Sequence, residues 1–463
     1  MIKMKKEYRN LIYIFCWIGL LLLAILIKTA LFRYYPSTDT ISTYNNSLTQ
    51  QGMNQSKNYV YGNGFLNKVF SFNAGSPIVD TPTIVNGVAY FGTSAMGKSA
   101  VNYMYAISAS NGRVIWKYRV DNEIMTQPLV VGNIVYVGSG NNLYKSVKGV
   151  LVRGAGQSAI YAINATTGKL VWIHITNGED MPSFAYKNGA LYVANGGKSF
   201  YSIDAATGKT YWRDSLLGVV SMSSIDISGN IAYFGEGLPE QNQYVAAINI
   251  VTKKILWQKR MPDSFGGITD CSPASNSKYL VISGLGLSPT PNKFYEILYV
   301  MSKRSGNIVW DHILGFGPNP FAMETANPII VGNNIYVGNP VGAGKFYSFN
   351  INTGNINWVI KIYGVQKGSA VYSNGILYFG DGFDNFYAVD ASNGDVLGVH
   401  RFGVGKAAQF TSGNPALVNN EIYIASKSGY LYAFPDTYLY NYNSEFIKYS
   451  IWALFYKVFG VRY

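Results

Sequence analysis

The stretch "GGITDCSPAS", residues 266–275, places a carboxylic acid directly beside a thiol, Asp270 and Cys271. A thiol attacks or exchanges only as its thiolate, so a charged and accessible setting would make this one reactive. A neighbouring carboxylate can take up or deliver the proton, and Asp270 or Glu296 is the candidate acid/base. Cys271 is the only cysteine outside the apolar N-terminal segment that contains Cys16, and the chain has no CxxC or vicinal pair. A small buried cysteine without chemistry fits the same residue equally well, because free Cys is commonly buried.

What positions these residues is a repeat. "YAINATTGKLVW" (161–172) recurs as "YAISASNGRVIW", "YSIDAATGKTYW", "YVMSKRSGNIVW" and "YSFNINTGNINW", ending at Trp116, Trp212, Trp310 and Trp358. Two weaker copies hold Lys253 in place of the turn glycine and Gly398 in place of the tryptophan. A period of roughly 40 to 56 residues marks a propeller or solenoid rather than several separate domains. His174, His312 and His400 each follow a repeat tryptophan, or its substitute, by two residues. Equivalent positions on different blades lie far apart, which argues against a histidine metal site.

Inner hairpins repeat as well. "PTIVNGVAYFG", "PLVVGNIVYVG", "PIIVGNNIYVG" and "PALVNNEIYIA" set a Tyr eight residues after a Pro, around N-G or G-N turns that read as β-hairpins. Eight inner hairpins against seven outer ones leave one blade short of a strand. Phe70 stands twelve residues before Pro82, as the tryptophans of blades one, two and six do before the next Pro-equivalent position, so residues 65–73 should complete the last blade. The expected fold is an all-β, eight-bladed β-propeller, closed without exposed edges between its ends. In such a ring the loops leading into the innermost strands, and those between second and third strands, share one face around the channel. They carry Asp80, Asp263, Asp270, Cys271, Glu324, Lys367 and Lys406, and Lys98, Arg153, Glu236, Glu240, Lys293, Glu296, Lys345, Asp381 and Asp384.

Outside the ring, Lys3, Lys5, Lys6 and Arg9 precede the uncharged stretch Leu11–Ile27. Seventeen apolar residues suffice to span a bilayer, and the positive flank stays inside. The resulting division is a membrane anchor at 1–33, a polar linker at 34–64, the propeller at 65–436 and a basic amphipathic tail at 437–463. The propeller is then expected outside the membrane; a cleaved signal peptide is the rival, without a good small-x-small site after the apolar stretch. Charged residues are only 13% of the chain, with Lys+Arg 37 against Asp+Glu 24. Few carboxylates means little stability lost on acidification, which fits an acidic exterior, although a Lys-leaning composition accounts for the balance as well. No basic block exceeds three residues, so nucleic acid is not an expected partner.

Over about residues 65–436 the "Y-A-[IV]-[DN]-A-x-[TN]-G-[KR]-x-x-W" repeat resembles that of the pyrroloquinoline quinone propellers, whose eight blades are joined by packed tryptophans. That resemblance implies three alternatives among which the fold does not choose. Quinone-dependent dehydrogenases hold the cofactor with calcium, typically against a disulfide of adjacent cysteines. The missing cysteine pair and carboxylate run make no cofactor the expectation, with quinone and calcium left open. BamB-type propellers imply a scaffold with a protein partner at the channel mouth. Resemblance to the tetrathionate hydrolases implies a small anionic sulfur substrate held by Lys367, Lys406, Arg153 and Lys345. A carboxylate, Asp270 or Glu296, would activate water, and Cys271 would bind or exchange with the sulfane sulfur.

Overall fold

The computed structural model describes Ser47–Leu48 and residues 70–441, apart from short loop stretches at 98–99, 155, 239–241, 292, 319–324, 342–343, 365, 384, 403–409 and 411–412. The proposed anchor, most of the linker, the tail beyond 441, and Lys98, Glu240, Glu324, Asp384 and Lys406 lie outside the described residues. Contacts divide the chain into Met1–Tyr44 and Asn45–Tyr463. The second unit contains every strand among the described residues.

Eight antiparallel sheets follow one another as blades, seven of four strands and the third with a fifth, short strand, each numbered here from the channel outward. Blade two, for example, runs through Leu129–Val131, Ile134–Ser139, Ala159–Asn164 and Leu170–Ile175. The expected closure is present: Phe70–Asn73 pairs with Tyr430–Pro435, Phe70 opposite Ala433, so the two ends of the described chain share blade eight. Ser47–Leu48, inside the stretch read as a linker, pairs with Ala185–Lys187, the innermost strand of blade three.

The repeat residues join blade to blade. Trp116 Nε1 donates to the Ala165 carbonyl at 2.7 Å, and Trp172, Trp257, Trp310 and Trp358 donate to equivalent carbonyls one blade on. Tyr136, from the inner hairpin, reaches the same Ala205 carbonyl as Trp172, and Tyr423 closes the ring on Ala109. Such bonds satisfy buried polar groups while the ring bodies fill the space between sheets. Gly168 has φ +68, and a Cβ there would lie 2.7 Å from Trp116, so the turn needs glycine for both conformation and room. Phe70 plays the tryptophan's part in blade eight, packed on Gly112. At the seventh copy, Gly398 makes space for Leu439 of the short helix Tyr438–Asn441, which covers the position left by the missing indole.

Candidate active site at the channel mouth

The floor of the mouth is a ring of side chains, each two residues before an innermost strand: Thr81, Gln127, Ser183, Ser224, Ser272, Asn327, Ser369 and Asn414. Along blades two to six, the backbone N–H of one donates to the side chain of the next: Gln127 to Ser183 at 3.0 Å, Ser183 to Ser224 at 3.0 Å, Ser224 to Ser272 at 3.2 Å and Ser272 to Asn327 at 2.7 Å. Asn414 N–H closes the circle on Thr81 Oγ1 at 2.9 Å. A floor knitted by its own backbone holds the loops above it in fixed places.

Above the floor stands Arg153. It comes from the hairpin Tyr144–Val147 and Val150–Arg153, inserted between the second and third strands of blade two. Its Nη1 lies 2.9 Å from Glu179 Oε1 and 3.9 Å from Asp270 Oδ1, which draws together loops of blades two, three and five. Glu179 N–H donates to the Arg153 carbonyl and Arg153 N–H to Gly196. Three glycines clear the space: a Cβ at Gly140, Gly154 or Gly196 would come within 2.6 Å of Glu179. Glu179 is therefore built into the wall, fully buried, whereas the Arg153 and Asp270 side chains keep 14% and 13% of their surface.

Burial governs the acids around this cation. It raises Glu179 well above the usual carboxylate range against the opposing pull of Arg153. Glu123, which also feels Arg153, and Asp180, which accepts hydrogen bonds from Thr176 and Asn195, are each pushed up by burial to about 7. Below that pH Glu123 and Asp180 are neutral near a guanidinium that stays charged. The cluster gains net positive charge as the medium is acidified.

The consecutive residues Asp270 and Cys271 part company. Asp270 lines a cavity of about 30 Å3 at the mouth, together with Met125, Met181, Met222, Ser272 and Asn327. Cys271 turns into the core, with no exposed surface. Its Sγ accepts from Ser283 N–H at 3.2 Å and lies 3.4 Å from the Ala326 carbonyl, and burial pushes the thiol up to about 12. As placed, it is a protonated thiol that touches no solvent, so the expectation that it meets the substrate finds no support in the geometry. Glu296 sits behind the mouth too: it is fully buried, accepts from Ala326 N–H at 2.9 Å and is raised well above its usual range by burial. Lys367 is nearly buried and feels the Glu296 charge; Lys345 is exposed at the start of its strand, away from the Arg153 cluster. Thus Arg153 and Asp270 come together, Cys271, Glu296 and Lys367 form a second group, and Lys406 lies outside the described residues.

Glu179, Asp180 and Glu123 escape the sequence reading. Adjacent acids at 179–180, just before the third innermost strand, are conspicuous in a chain with so few charges, and that was the available signal. Two other mouth acids are fasteners: Glu236 accepts from Gly218 N–H at 2.9 Å, and Asp381 from Gly364 N–H and Tyr387 OH, both at 2.8 Å. Among the described residues no group of three or more His, Cys, Asp or Glu is disposed to hold a metal. The six described tryptophans are repeat residues, five of them bonded to the next blade, and Cys271 has no cysteine beside it. This donor set does not fit a stacked quinone with calcium.

The family described as "Outer membrane protein assembly factor BamB" matches residues 72–182 and 156–398. Tetrathionate hydrolase of Acidithiobacillus ferrooxidans is 29% identical over 377 residues, 76% of this chain and 72% of that protein. Tetrathionate hydrolase of Acidianus ambivalens is 27% identical over 389 residues, 77% of this chain and 71% of that protein. BamB from Moraxella catarrhalis superposes with a TM-score of 0.55 at 14% identity, covering 80% of this chain and all of that one. A quinohemoprotein alcohol dehydrogenase from Pseudomonas putida HK5 gives 0.54 at 14% identity, covering 81% and 76%. At such identities the two structures share a fold and nothing more.

Proposed function

The chain belongs to the pyrroloquinoline-quinone-type repeat propellers described as outer membrane protein assembly factor BamB, and on that premise we propose that it is an enzyme of the tetrathionate hydrolase type. The observation that carries this reading is the similarity to two proteins of that name over three quarters of the chain. The mouth supplies matching chemistry. Arg153 holds one sulfonate by paired N–H donors, as a guanidinium does best. Asp270, beside it and partly exposed, takes a proton from the attacking water.

The first step balances as follows: the water oxygen bonds to a sulfonate sulfur, and the bond from that sulfur to the sulfane chain breaks. Its electron pair leaves with the disulfane monosulfonate, and sulfate is the other product. Glu179, neutral in acid, keeps the cluster cationic while the dianion binds; ionised, it would repel it. Cys271 has no part in this reading.

The N-terminal apolar stretch and its basic flank support a membrane-anchored protein with the propeller on the extracytoplasmic side. Protease digestion of intact cells checks the side: a protected propeller would reverse the topology. A BamB-like scaffold is the second reading, favoured by apolar side chains exposed on mouth loops: Leu143, Leu217 and Phe383 are each more than half exposed. An assay with tetrathionate from pH 1 to 7, about the range over which carboxylates change charge, separates the two. Turnover lost in Asp270→Asn supports the hydrolase. No turnover at any pH leaves the scaffold.

A further inference from the structure

Around the channel, the residue two places before each ring residue divides the mouth into halves. In blades two, three and four these residues are Met125, Met181 and Met222; in blades five, six and seven they are Asp270, Thr325 and Lys367. All three methionines line the same small cavity as Asp270. Met181 is buried, and Met125 and Met222 are each partly exposed. A one-sided arc of three thioethers, two of them partly exposed, beside the aspartate that Arg153 approaches, is an unusual way to fill a core, because the other described blades put Val79, Asp270, Thr325 and Lys367 at this position.

We propose that Met125, Met181 and Met222 form a subsite for the sulfane-sulfur chain of a polythionate whose sulfonate is held by Arg153. This rests on the hydrolase reading of the mouth. Divalent sulfur is apolar, polarisable and a poor hydrogen-bond acceptor, so it gains little from water. Thioether side chains offer it dispersion contacts and a flexible wall that adjusts to its bent chain. Sulfonate ends require the reverse, cations and N–H donors, which Arg153 of blade two supplies where it approaches Asp270, a residue of the same cavity. Thioethers carry no titrating proton, so the subsite keeps its character in acid while the carboxylates around Arg153 lose their charge.

The consequence is selection by number of sulfane sulfurs. Sulfate, trithionate, tetrathionate and pentathionate are all dianions, and they carry none, one, two and three such atoms. Calorimetric binding to the full-length protein at pH 4 should show affinity rising by roughly threefold or more for each added sulfur, a step typical of buried apolar atoms. In the Met125→Gln, Met181→Gln double variant the step should vanish while sulfate binding is unchanged; Met→Leu at both positions should keep most of it. Equal affinity across the series, or a step that survives the Gln variants, would overturn the subsite even if tetrathionate is hydrolysed. A step that appears without hydrolysis would sink the catalytic reading and leave the subsite standing. Thermal melts of each variant separate lost binding from lost folding.

Discussion

Two polar clusters border the channel, and they differ in one respect that decides their chemistry. The Arg153 cluster, on the side of blades two and three, and the Cys271 cluster, on the side of blades five to seven, both contain carboxylates raised by burial. Only the first presents a cation and an acid with surface to spare. In the second, Cys271 and Glu296 have none, and they accept hydrogen bonds from the backbone N–H of Ser283 and of Ala326. A perturbed group marks a functional site only where a reactant can reach it. Residues 270 and 271 make the point at the shortest range, because adjacent side chains on one loop fall on opposite sides of that divide.

The sharpest way to break the comparison is to remove the cation. Arg153→Gln should lower kcat/KM for tetrathionate at pH 4 by about 100-fold or more, the scale of losing a charge-assisted paired contact. Burial holds Glu179 well above the usual carboxylate range, so it is neutral at that pH and the variant should still fold, which a thermal melt checks.

Next in size is a stability effect with a definite sign. Glu123 and Asp180 have folded values of about 7, above their unfolded values of 4.5 and 3.8. Their contribution is fully present below the unfolded values and is lost as pH rises through about 7. The protein should therefore be more stable, and melt higher, at pH 4 than at pH 8. Glu123→Gln should flatten that dependence. A melting point that rises steadily toward pH 8 would contradict the burial argument.

Changes in the second cluster should matter less to turnover. Cys271→Ala should keep activity within about threefold while costing about 1 to 2 kcal/mol for the small cavity, read from kinetics beside a denaturant melt. Loss of turnover with the melt unchanged would restore the thiol to the mechanism. Lys345→Ala, at an exposed strand end, should change KM by less than about twofold.

The ring was legible in the sequence because its determinants are local and repeated. A turn glycine, a tryptophan and an inner-hairpin tyrosine recur at fixed spacing, and even the closing strand followed from counting to Phe70. Topology then put Arg153 and Asp270 on one face, and the structure brings them within 3.9 Å. What spacing could not tell is which way a loop side chain turns. Cys271 looked the most reactive residue because of its type, and its burial follows from Ser283 and Ala326, twelve and fifty-five positions away. Glu179 was missed for the converse reason: the room it occupies is made by Gly140, Gly154 and Gly196, far apart in the sequence.

The most direct test is tetrathionate binding by the wild-type protein and by Arg153→Gln, measured at pH 4 and pH 8. The account predicts tight binding by the wild type at pH 4, at least about tenfold weaker at pH 8 as the surrounding acids ionise, and weak binding by the variant at both. Equal binding by the two proteins at pH 4, or wild-type binding that strengthens toward pH 8, would place the anion away from Arg153 and contradict it.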